Sequence, residues 1–229
     1  MRRCAAWHRS LDPVEFAVPA EVLKDNGVAK WVRDHGVTVA VRTSADLGAA
    51  IGAGIHPMRL TVHADGVNAN ELVFCSGNLG VGRVVANTIE HVGLLASCAV
   101  AHRRQRVVLG ADAVLAGAVA AVLNGPRLDL VGLYREISSR EHYLAGYPAV
   151  ISDLLAVMAD IRRAHGVILT RAVVGGGGFV FGEGPADLSE FAETIEVTLD
   201  DACATLRFPR PVVMVSAAAK PCTRSPERS

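Results

Sequence analysis

Lysine is scarce in this chain. Among 229 residues only Lys24, Lys30 and Lys220 carry a side-chain amine, so chemistry that needs a buried amine has few positions to draw on. Aromatic residues make up only 5%. The five cysteines are odd in number and none forms a C-x-x-C pair, which argues against a disulfide framework or zinc site and for free thiols in a reducing cytosol. The formal net charge is +0, and neither a long basic block nor an acidic tail is present to suggest nucleic acid or a basic partner. The short cluster Arg103, Arg104 and Arg106 reads as a solvated segment ahead of a strand. No apolar stretch is long enough to span a bilayer, and MRRCAAWHRS has charge but no apolar centre of a secretory signal. The expectations are therefore no nucleic acid, no membrane and a cytoplasmic location. Neither a G-x-S-x-G nucleophile elbow nor a G-x-x-x-x-G-K-[ST] phosphate loop occurs.

What the chain does have is apolar content, 51% against 20% charged, enough for a sizeable core. Short β-rich runs recur: VEFAV from Val14, VTVAV from Val37, RLTVH from Arg59, GRVVA from Gly82, QRVVL from Gln105, LDLVGL from Leu128, LTRAVV from Leu169 and PVVMV from Pro211. Helix-like segments alternate with them. SADLGAAIGAG has Ser44 as an N-cap and Gly54 as a stop. YPAVISDLLAVMADIRRAHG puts Val150, Leu154, Val157, Met158 and Ile161 on one stripe and ends at Gly166. DLSEFAETIEVTLDDACATL is a further helix, with Glu193, Glu196, Asp200 and Asp201 on its wet face.

Eight strands alternating with helices predict parallel strands joined by crossovers. That count favours a (β/α)8 TIM-type barrel, with chemistry at the C-terminal strand ends, over a doubly wound open sheet. The barrel is expected over residues 14–216, after an N-terminal extension, 1–13, and before a fraying tail, 217–229. The run VVGGGGF from Val173 then falls just beyond the seventh strand. Loops there often cradle a phosphate on backbone N–H groups, and side-chain-free residues allow close approach. A plain flexible loop is the other reading. His56 and His63 flank the third strand, where capping or hydrogen-bonding roles outweigh a metal site, since no further ligands stand at readable spacing. Tyr134, Arg135 and Glu136 meet at the end of the sixth strand. Tyr134 and Glu136 share one side, and a structural ion pair of Glu136 with an arginine is the ordinary fate.

In order along the chain, RLTVHADGVNANEL, GVGRVVANTIEHVGLL, LDLVGLYREISS, the long helix from Tyr147, VVGGGGF and the helix ending in RFPRP are similar to the motifs of the pyridoxal-phosphate decarboxylases of the alanine-racemase barrel type. The chain most resembles diaminopimelate decarboxylase, from about residue 14 to 216. The resemblance implies an alanine-racemase N-terminal-domain-like barrel, here without the family's C-terminal β-domain. It also implies pyridoxal 5'-phosphate as cofactor, with Gly176, Gly177, Gly178 and Ser139 holding its phosphate, and a small amino acid as substrate if the chain is active. A homo-oligomer is a further expectation, since the family works as a dimer.

Several positions depart from that pattern. The family's Y-A-V-K segment, whose lysine forms the Schiff base with the cofactor, reads FAVP here, so Pro19 stands where the amine belongs. Lys24 is the nearest substitute in sequence, although a solvated surface lysine is its ordinary reading. The family's H-I-G-S becomes Glu136-Ile137-Ser138-Ser139, which removes a histidine that stacks on the pyridine ring. Its E-P-G-R becomes Ser216-Ala217-Ala218-Ala219, and its strand-two aspartate is Ala40. The sequence thus reads as a decarboxylase-like barrel impaired in catalysis by Pro19. A non-catalytic phosphate-, ligand- or protein-binding relative and a different phosphate-binding barrel enzyme are the alternatives.

Overall fold

The structure, a computed structural model, describes residues 2–111, 115–137, 143–180 and 185–218. Eight parallel strands close into a barrel in sequence order, with β8 returning to pair with β1. They are β1 (Glu15–Pro19), β2 (Thr38–Val41), β3 (Leu60–His63), β4 (Arg83–Ala86), β5 (Gln105–Gly110), β6 (Leu128–Ile137), β7 (Arg171–Val180) and β8 (Val212–Ala218). The barrel expectation holds, and the open doubly wound sheet is excluded.

The helices are α1 (Arg2–Leu11), α2 (Asn26–Asp34), α3 (Ser44–Gly52), α4 (Ala69–Val73), α5 (Ile89–Ser97), α6 (Leu115–Asn124), α7 (Tyr143–His165) and α8 (Pro185–Leu206). Local chemistry sets their ends. The Asp25 carboxylate accepts from Gly27 N at 2.7 Å and Val28 N at 3.1 Å, starting α2. Thr88 caps α5 through His91 N. At α3 the cap is Thr43, which accepts from Asp46 N at 3.1 Å, and not Ser44. Ser44 is the first helical residue, and its hydroxyl donates instead to Glu71 Oε2 at 2.6 Å. Gly54 and Gly166, both at positive φ, follow the ends of α3 and α7 as expected.

Alternation along the strands divides the apolar residues into two cores. Phe16, Val18, Val39, Val41, Leu60, Val62, Val84, Val107, Leu133, Ala172, Val174, Val213 and Val215 face outward and pack with the helices. Ala17, Ala40, Val85, Val108, Tyr134, Val173 and Met214 face inward and fill the bore. The segment expected as an N-terminal extension forms α1. Its Trp7 and Leu11 are buried, and Trp7 meets Phe16 edge-on at 5.3 Å, so α1 joins the outer core.

The glycine run is also placed differently from the sequence expectation. It does not follow the seventh strand; it lies within β7. Strand β6 runs on to Ile137, and its backbone pairs with β7 as far as Gly176. The ladder to β8 then shifts register between Gly175 and Val180, where Gly176 takes φ +77°. Intrinsic preference disfavours glycine in a strand, and here the partner strands override it.

Candidate functional site

The C-terminal mouth of the bore is built by the last inward residue of each strand and the residues just after it. Pro19 ends β1, with its Cα opposite Ala40 of β2. Arg42 follows β2, His63 ends β3, and Asn87 follows β4. Gly110 ends β5, Tyr134 and Glu136 come from β6, Gly175 from β7 and Ser216 from β8.

A polar cluster crosses the middle of this mouth. Arg42 Nη2 donates to the Tyr134 hydroxyl at 2.9 Å, and Arg42 Nη1 reaches Glu136 Oε2 at 3.3 Å and Oε1 at 3.5 Å. The Tyr134 hydroxyl donates in turn to Glu136 Oε2 at 3.0 Å. His63 packs edge-on against the Tyr134 ring at 5.0 Å. Burial works against the Arg42 charge, but Tyr134 and Glu136 more than offset it and hold the guanidinium above its usual range. Burial pushes the Tyr134 phenol up, with Arg42 opposing, so it is an un-ionised donor at neutral pH. Burial and then the nearby Arg42 charge push the His63 imidazole down to about 4, so it is neutral in the folded protein.

Glycine at 175 makes this packing possible. A Cβ there would stand 2.6 Å from the Tyr134 hydroxyl and 2.8 Å from Arg42 Nη2. At Gly176 a Cβ would collide with the Ile137 carbonyl oxygen, and the backbone φ is one that L side chains rarely adopt. The Gly176 carbonyl accepts from the Tyr147 hydroxyl of α7 at 3.2 Å.

The ion pair expected for Glu136 is present, and its partner is Arg42. Arg135, on the other side of the strand, pairs with Asp153 at 3.0 Å. Sequence reading passed over Arg42. Alternation would have found it, since the residue two beyond the inward Ala40 continues on the same side. His56 is a cap: its Nδ1 accepts from Met58 N at 3.2 Å. Gly177 and Gly178 lie in β7 with Gly176, while Ser139 lies outside the described residues. No group of three or more His, Cys, Asp or Glu suited to a metal occurs among the described residues. Nor is any of their helices long and apolar enough to cross a membrane.

The described residues do not fit a covalently held pyridoxal phosphate. Pro19, at the inward end of β1, offers neither a side-chain amine nor a backbone N–H. Lys24 sits on a 3-10 turn after β1 (Ala20–Lys24), with its side chain 76% exposed and its Nζ 3.7 Å from Glu21. It does not return to the bore. Lys30 is on α2, paired with Asp34 at 2.8 Å, and Lys220 lies outside the described residues. Across the mouth, Arg42 and Tyr134 occupy the level of Gly175. The Ser216 hydroxyl, beside Gly175 in the β7–β8 ladder, is buried without a hydrogen-bond partner.

No protein-family model matches the chain. It is 29% identical to a diaminopimelate decarboxylase of Actinosynnema pretiosum subsp. auranticum, over 91% of this chain and 53% of that one. It is 26% identical to the diaminopimelate decarboxylase of Corynebacterium efficiens, over 89% of this chain and 50% of that one. Among solved structures, a diaminopimelate decarboxylase from M. jannaschii superposes with a TM-score of 0.73 at 12% identity, covering 94% of this chain and 57% of that one. The ornithine decarboxylase of Entamoeba histolytica gives 0.74 at 16% identity, covering 95% and 62%. The chain spans about half the length of the curated relatives it matches. It has the eight-stranded barrel of these amino-acid decarboxylases and is similar in sequence, along most of its length, to the diaminopimelate decarboxylases.

Proposed function

We propose that this chain is a decarboxylase-like barrel that does not itself decarboxylate amino acids through pyridoxal phosphate. In this reading its C-terminal mouth keeps only a non-covalent affinity for the phosphate end of such a ligand. The observation that carries this reading is Pro19. It occupies the inward end of β1, and the three lysines of the chain are exposed, paired on an outer helix or outside the described residues. Losing a covalent anchor closes the route through that intermediate, and such losses cost orders of magnitude in rate.

The Arg42–Tyr134–Glu136 cluster supports the same reading. Its three side chains hydrogen-bond to one another across the mouth. A resident ring would have to displace this charge-assisted network. The phosphate end is where affinity remains, at the backbone of Gly176, Gly177 and Gly178 and at Ser139. Side-chain-free backbone admits an oxyanion closely.

Carbon dioxide release from diaminopimelate, with pyridoxal phosphate added to the purified 229-residue chain, tests the proposal. The expected result is no turnover above a protein-free control, with weak reversible binding of pyridoxal phosphate that Gly177→Val removes without unfolding the barrel. Steady turnover by the isolated chain would overturn it.

A further inference from the structure

At the C-terminal mouth β7 opens a gap toward β8. The ladder pairs Gly175 with Ser216 and next pairs Val180 with Ala218, so residues 176–179 stand opposite Ala217 alone. The β7 backbone over that stretch has no matching ladder on the β8 side. Ser216 borders the gap. Its Cα stands opposite Ala17 and Gly175, which face the bore, so its side chain faces the bore too. Ser216 is 3% exposed, and among the described residues its hydroxyl has no hydrogen-bond partner. A buried hydroxyl left unpaired costs free energy that an incoming oxyanion recovers.

The other side of the gap is set by α7, which packs on the outside of β6 and β7. Tyr147 of α7 is buried in the outer core, with its ring edge-on to Phe191 of α8 at 4.8 Å. Its hydroxyl donates to the Gly176 carbonyl at 3.2 Å. Burial pushes the phenol up, so it remains a donor at neutral pH. A trans peptide is planar, and its C=O and N–H point in opposite directions. A Gly176 carbonyl drawn toward α7 therefore turns the next N–H, that of Gly177, away from α7 and toward the mouth. The φ of +77° at Gly176 lets this peptide leave the plane of the sheet. Glu136 is the carboxylate beside Gly176, and Arg42 at 3.3 Å offsets its charge.

We propose that Tyr147 is a positioning residue for a phosphate monoester at the mouth: its hydroxyl fixes the Gly176–Gly177 peptide so that the Gly177 N–H donates to the phosphate, and the Ser216 hydroxyl is a second donor to the same group. This inference rests on the phosphate affinity proposed above. It adds the device that aims the glycine backbone, and a donor on β8 that the glycine run alone does not supply.

Titration of the isotope-labelled chain with pyridoxine 5'-phosphate, which carries no aldehyde, tests this by amide NMR. The Gly177 amide signal, identified by its loss in Gly177→Val, should move as the ligand is added. Tyr147→Phe keeps the ring and its contact with Phe191. It should weaken binding about threefold to tenfold, the range for losing one hydrogen bond, and the Gly177 signal should move less at saturation. A purely structural role for the hydroxyl would leave that signal's movement unchanged. Ser216→Ala should weaken binding by a similar factor, which keeps the test decisive if Tyr147→Phe fails to fold. Pyridoxine, which lacks the phosphate, should not distinguish the wild type from either variant. Binding that Gly177→Val removes but Tyr147→Phe and Ser216→Ala leave at wild-type strength would overturn this inference and spare the phosphate reading. No binding by the wild type would overturn both.

Discussion

Two residues at the mouth show how far one side chain reaches. The folded-state value of His63, about 4, lies below its unfolded value near 6.5, so the unfolded chain takes up a proton that the folded chain refuses. The contribution of His63 to stability is therefore fully present above about pH 6.5 and is lost as pH falls toward 4, by up to ~3 kcal/mol. Urea unfolding at pH 7 and pH 4.5 should show this loss, and His63→Gln should reduce it. Arg42→Gln should make the loss smaller and complete it at a higher pH, because the Arg42 charge is the second cause of the low value and its removal brings the folded value closer to the unfolded one. Tyr134→Phe should cost about 1 kcal/mol, since Arg42 and Glu136 each lose a partner in a partly buried network whose Glu136 end is open to water. Neither Arg42 nor its network stood out in the sequence. R-T-S after an apolar strand looks like the start of a loop, and only the closed barrel brings residue 42 across to residues 134 and 136.

At the scale of elements, all eight strands were legible, because residues packed inside and outside a parallel barrel leave short, nearly continuous apolar runs. The ends of β6 and β7 were not. Beyond Leu133 and Val174 the strands continue through polar residues and glycine, and pairing, not side-chain preference, keeps them extended. Helix α1 was missed for a similar reason: its Arg and His content hides the buried Trp7 and Leu11, which dock only once the barrel exists. Gly176→Ala should destabilise the barrel by about 1–3 kcal/mol, measured by chemical denaturation, through strain at positive φ together with the clash at Ile137. Helix caps make a milder test. Thr88→Ala should lower stability by about 1 kcal/mol, with the fold and the mouth unchanged by circular dichroism.

For the whole molecule, the barrel was readable from the count and alternation of segments, whereas the chemistry rested on a resemblance and on the positions that depart from it. The long α7 and α8 leave a trough of about 500 Å³ lined by Pro148, Ala156, Ala202 and Leu206 and also by polar residues such as Thr198 and Asp201. Ile51, Phe74, Ile89, Ile168 and Val197 are exposed elsewhere. We propose that the chain associates with copies of itself to cover such surface. Sedimentation velocity should show mass rising with concentration, and a clean monomer throughout would argue against it. The central claim is that, among the described residues, no amine stands at the inward end of β1 or elsewhere in the bore to anchor an aldehyde. Borohydride reduction of the chain after incubation with pyridoxal phosphate, followed by peptide mapping, tests it most directly. No lysine should be modified stoichiometrically; one adduct per chain at Lys24 or Lys220 would contradict it.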